Sequence, residues 1–82
     1  MAPEKSVHYG LLQEFVDALF AHDEELPRID IVVMAESYDL NEDLTEIISL
    51  LPPGRYTRIK LCSQINSSLS SHGWGYYYGT VA

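Results

Sequence analysis

The sequence has one cysteine, only five lysine and arginine residues, and no acidic residue after Glu46. The lone Cys62 rules out a disulfide within the chain and fits a reducing compartment. No apolar run approaches the roughly 20 residues needed to cross a bilayer. The opening MAPEKSVHYG lacks the basic-then-apolar layout of a secretory leader, so a cytoplasmic protein without membrane contact is expected. A chain of 82 residues has room for one domain around one core. Its apolar share of 46% is ordinary for a folded protein and too high for a disordered one.

The motifs of reactive chemistry are equally scarce. Cys62 and His72 are the obvious thiol–imidazole candidates, but on one helix about 15 Å of rise separates them. Cys62 also falls on an apolar stripe, where a buried structural thiol is the expectation. His8, His22 and His72 have no i, i+4 spacing and no second cysteine to complete a zinc site. Asp39-x-Asn41-x-Asp43 imitates the start of a calcium loop, yet its sixth position is Leu44 and its twelfth is Leu50. No glycine-rich phosphate loop is present. Neither an enzyme nor a cofactor-binding protein is expected.

What the chain does have is an uneven charge. Residues 1–46 carry all 12 acids against Lys5 and Arg28, a net −10. Residues 47–82 carry Arg55, Arg58 and Lys60 and no acid, a net +3, and the whole sums to −7. Asymmetry of this kind points to interaction surfaces, although solvated helix faces also collect acids.

Apolar spacing predicts a mainly α fold, a bundle of about four short helices. Leu12, Phe15, Val16, Leu19 and Phe20 form a stripe over about His8–Ala21. Residues 28–38 are read as a helix with Pro27 at its start, although their β-branched run also fits a strand. Ile29, Val32, Val33 and Leu40 are taken as its inner face. Asn41 is a good N-cap for a third helix carrying Leu44, Ile47, Ile48 and Leu51, which Pro52-Pro53-Gly54 ends. Thr57 caps a fourth, with Tyr56 and Leu61 as a hydrophobic staple and Gly73 just beyond its end. The remainder, WGYYYGTVA, alternates like a strand or hairpin arm. No internal repeat is evident. The expectation is one domain, 1–82, with a helical body over about 7–72 and an aromatic tail over 73–82.

Asp30 to Ser37, DIVVMAES, followed by Leu51, Pro52, Tyr56 and Thr57, resembles a small bacterial and archaeal family of unknown function. That family shows D-L-V-x-x-A-E-S and then L-P-x-x-x-Y-x-[ST] before a last helix. The resemblance covers roughly residues 11–70 and implies a four-helix fold, with no activity attached. Arg58 stands where the family has an acid, and the aromatic tail lies outside its pattern.

Two surfaces follow. Asp30, Glu36, Asp39, Glu42, Asp43 and Glu46 can form an acidic face that repels nucleic acid and attracts a basic protein. Arg55, Arg58 and Lys60, at the start of the fourth helix, join Trp74, Tyr76, Tyr77 and Tyr78 in a basic, aromatic face. Cations there oppose the helix dipole at a cost of a few tenths of a kcal/mol each and make a potential anion site. The tail aromatics serve either as core or as contact surface. The leading expectation is a small non-enzymatic regulator or inhibitor docking on a basic protein surface; phage-encoded anti-CRISPR proteins share its size and charge. The alternatives are a helix-turn-helix-like nucleic-acid module using the C-terminal half, and a self-associating protein, for instance a homodimer.

Overall fold

The structure, a computed structural model, describes residues 6–82. Residues 1–5, the start of the segment read for a leader, lie outside the described residues. The elements run α1 (Leu11–Leu19), β1 (Glu25–Pro27), α2 (Arg28–Ser37), α3 (Glu42–Ser49), β2 (Arg55–Thr57), α4 (Arg58–His72) and α5 (Gly75–Tyr78). The fold is mainly α, with one two-stranded antiparallel ribbon.

Capping fixes the helix starts where the side chains foretell it. Asn41 Oδ1 accepts from the Leu44 N–H at 2.9 Å, and Thr57 Oγ1 from the Lys60 N–H at 3.2 Å. The end of α4 is equally local. Gly73 adopts φ 71°, and Trp74 N–H reaches back to the Leu69 carbonyl at 2.8 Å, closing a Schellman turn. At α1 the helix starts three residues later than its apolar stripe suggests. Gly10 at φ 87° interrupts the helical path, and its N–H bonds the Tyr78 carbonyl at 3.2 Å instead.

Three sequence expectations change. The aromatic tail contains a helical turn, not a strand. Trp74 and Tyr78 stand at i, i+4 and meet edge to face at 5.9 Å, while Gly79 N–H closes on the Gly75 carbonyl. The apparent alternation of large and small residues masked that spacing. The strands lie instead at 25–27 and 55–57, in the connections between helices.

The second change is the azimuth of α2. Ile31 and Ala35 are buried, whereas Ile29 is 61% and Val33 52% exposed. Apolar residues fall on every side of this helix, interspersed with Arg28, Asp30 and Glu36, so periodicity does not fix one face. The ribbon decides: Leu26 points inward from β1, and the helix leaving Pro27 then turns Ile31 to the core.

The third change is an internal repeat. α1–β1–α2 and α3–β2–α4 are two copies of one helix–strand–helix plan. Leu12, Phe15, Val16 and Leu19 are buried with the same i, i+3, i+4, i+7 spacing as Leu44, Ile47, Ile48 and Leu51. Leu26, Ile31 and Ala35 correspond likewise to Tyr56, Leu61 and Ile65, all buried. Leu26 lies opposite Tyr56 at the centre of the ribbon, which gives the pairing a local two-fold axis. Together these side chains form a single core cluster, joined by Leu69, Tyr78 and Val81.

Candidate functional site

The predicted basic, aromatic face is not one continuous surface. Arg55, Arg58 and Lys60 gather at the first turn of α4, and Trp74 to Tyr78 lie beyond its last. A helix of 15 residues puts about 22 Å between them. Each cation is engaged. Arg55 Nε lies 3.0 Å from Glu25 across the ribbon. Lys60 Nζ donates to the Arg55 carbonyl at 3.0 Å and sits 4.8 Å from the Tyr56 ring centroid. Arg58 bonds Asp17 and the Ala82 carbonyl. The Arg58 hydrogen bond, with a second from Gln13, holds the Asp17 carboxyl below its ordinary range.

The tail aromatics divide by role. Tyr78 is buried, donates to Asp43 Oδ2 at 2.6 Å and accepts from Asn41 Nδ2 at 3.4 Å. Burial first, and then the bond to Asp43, push its phenol above the ordinary value. Trp74 is half-buried and stacks on His72 with ring centroids 4.4 Å apart. Tyr76 and Tyr77 are exposed.

Among the acids, Asp43 and Glu46 turn toward the tail. Glu46 Oε2 lies 3.8 Å from His72 Nε2. Asp30 and Glu42 are exposed in the first turns of α2 and α3. Glu36 and Asp39 line a groove of about 310 Å³ between those helices. Its floor is Val32, Ala35, Leu40 and Ile48. At one end Arg28 donates from Nε to the Leu51 carbonyl at 2.7 Å, and from Nη2 to the Ser49 carbonyl at 3.0 Å. The guanidinium thereby satisfies the last carbonyl of α3, at Ser49, and one just beyond its end, at Leu51. Sequence reasoning missed this groove because it assigned Val32 and Leu40 to a helix interior and treated Arg28 only as a charge.

A second groove, between α4 and α1, is filled by Val81 and Ala82 of the chain itself. The Asn66 side-chain amide makes both available bonds to Val81, taking its N–H and donating to its carbonyl, each at 2.8 Å. The Gln13 amide does the same for Ala82, at 2.9 Å and 3.0 Å. Val81 is buried beneath these contacts. The segment is held by its main chain.

Cys62 is buried, and desolvation pushes its thiol up, away from the reactive thiolate. Asp39, Asn41 and Asp43 have separate tasks: lining the groove, capping α3 and receiving Tyr78. Among the described residues, no group of three or more His, Cys, Asp or Glu is placed to hold a metal ion. Nor is any described helix long and apolar enough to cross a membrane. Comparison with family models, curated proteins and solved structures finds no match.

Proposed function

We propose that this chain is a small non-enzymatic binding protein that docks its α2–α3 face on a basic surface of a protein partner, as a regulator or inhibitor. The observation that carries the reading is the apolar groove edged by Glu36 and Asp39. Residues 28–50 hold six acids and one base, and that base, Arg28, is committed to the end of α3. Apolar floor and acidic rim together suit a partner with apolar anchors among lysines and arginines. Ile29 and Val33, exposed one turn apart on α2, extend the apolar area beyond the groove. A cytoplasmic location accords with the reduced, buried Cys62.

The test is capture of partners from the native host by the wild type and by a Glu36→Lys, Asp39→Lys, Glu42→Lys triple variant. All three positions are exposed; Asp39 adopts φ 53°, where lysine adds backbone strain, so the fold of the variant is checked by circular dichroism. Loss of a basic partner with the variant, and steeper loss at raised salt, is expected. Recovery of the same partners by both proteins overturns the proposal.

The helix-turn-helix-like reading has less behind it. It would use Arg58, Lys60, Gln64 and Asn66, of which Arg58 and Asn66 are occupied in holding residues 81 and 82 and Lys60 donates to the Arg55 carbonyl. Self-association draws on no specific contact. Light scattering at low and high salt separates it from a monomer.

A further inference from the structure

The geometry points to the α2–α3 groove as a receptor for an extended, basic segment of the partner, held by its main chain as Val81 and Ala82 are held between α4 and α1. This rests on the docking proposed above and specifies what enters the groove.

The internal repeat makes the two grooves counterparts. Exchange of the halves carries α2 onto α4 and α3 onto α1, so the α2–α3 groove maps onto the α4–α1 groove. The arginines confirm the mapping. Arg28 and Arg58 each occupy the first position of their helix. Arg58 reaches Asp17, five residues after Leu12, and Arg28 reaches the carbonyl of Ser49, five residues after Leu44. Glu36 follows Arg28 by the same eight residues that separate Asn66 from Arg58. Thr45 follows Leu44 as Gln13 follows Leu12. Glu36 and Thr45, which line the open groove, therefore stand where Asn66 and Gln13 grip Val81 and Ala82.

The α2–α3 groove is open because none of the described residues lies in it, and it is roomier than its counterpart because Ala35 stands in place of Ile65 beside Val32 and Ile48. A β-branched side chain such as the buried Val81 suits that space.

The polar positions set the preference. A carboxylate at Glu36 only accepts, so it takes a main-chain N–H where Asn66 both accepts and donates. Thr45 Oγ1 donates to the Leu40 carbonyl at 3.1 Å and keeps its lone pairs for an incoming donor. Asp39 stands where the filled groove has Leu69, adding negative charge beside the main chain. A lysine or arginine flanking the β-branched residue satisfies both acids. Residues 79–82, GTVA, carry no base, so the occupant differs in charge from the chain's own segment.

The probe is a synthetic capped peptide, acetyl-Lys-Gly-Thr-Val-Lys-amide, titrated into isotope-labelled protein and followed by NMR. Three controls accompany it: the peptide with N-methylated valine, a basic amphipathic helical peptide, and unlabelled protein. Shifts centred on Val32, Ala35 and Ile48 are expected, weakened about tenfold or more when the valine N–H is removed. Glu36→Ala, at an exposed position, weakens binding to a similar degree. Equal binding by the N-methylated peptide overturns the inference. So does a response to the helical peptide alone, which leaves docking on a basic partner standing. Groove shifts caused by unlabelled protein assign the occupant to a second copy and also overturn it. If host capture survives the triple charge reversal as well, the docking reading itself falls.

Discussion

Tyr78 donates its phenolic hydrogen to Asp43 across 2.6 Å, tying the last helical turn of the chain to the first turn of α3. The bond joins the aromatic tail to the acidic half, so one residue from each predicted face is spent inside the fold. Tyr78→Phe keeps the ring and removes the donor. The expected cost is about 1–3 kcal/mol in chemical denaturation, because the acceptor is charged and half-buried.

The same residue sets a pH dependence. Its phenol is raised by burial and by Asp43, so it ionises later in the folded than in the unfolded chain. Such a group contributes stability in full below its unfolded value, about pH 10, and loses it as pH rises through the folded value. Stability of the wild type therefore falls more steeply above about pH 10 than that of Tyr78→Phe. Parallel curves for the two proteins across that range would contradict the assignment.

Removal of the Asn66 amide unties Val81. Asn66→Ala deletes two hydrogen bonds of 2.8 Å, and a loss of about 1–3 kcal/mol is expected. Amide exchange reads it directly: the Val81 N–H loses protection while those of Leu61 and Ile65, bonded within α4, retain theirs.

The orientation of α2 is tested by pairing neighbours. Ile31→Ala empties a fully buried site and should cost about 2–5 kcal/mol. Val33→Ser, two residues on and half exposed, should change stability by no more than about 0.5 kcal/mol. The opposite order would restore the inner face of Ile29, Val32, Val33 and Leu40 expected from the sequence.

Loss of the Thr57 cap gives a local measure of α4. Thr57→Ala removes the acceptor for the Lys60 N–H and should cost about 1 kcal/mol, whereas Thr57→Asn retains most of it. Thermal unfolding of the two variants separates the cap from the side-chain volume.

Much of the secondary structure is legible residue by residue. Asn41, Thr57 and Gly73 act within one turn of themselves, through hydrogen bonds to near neighbours, so their residue types are enough to place the helix ends. The stripes of α1 and α3 are legible for a similar reason, since each keeps one apolar face. The candidate site is less so. Glu36 and Asp39 are visible as acids, but Val32 and Ala35 read only as apolar until their neighbours across the groove are known.

The sequence by itself determined the helical class, the caps, the single buried thiol and the division of charge at Glu46. Tertiary structure decided which of those charges are spent. Arg55, Arg58 and Lys60 looked like an open basic patch and are instead held by Glu25, by Asp17 and Ala82, and by the Arg55 carbonyl and Tyr56 ring. It also decided that the chain is a repeat. The two halves share the arginine–isoleucine pair at 28–29 and 58–59, but the core positions on either side of the loop, Leu19 and Leu26 in one half and Leu51 and Tyr56 in the other, are seven residues apart in the first and five in the second. A loop absorbs that difference without moving the core positions it connects, so the symmetry is held by burial and not by sequence register. The open groove is visible only against its filled counterpart.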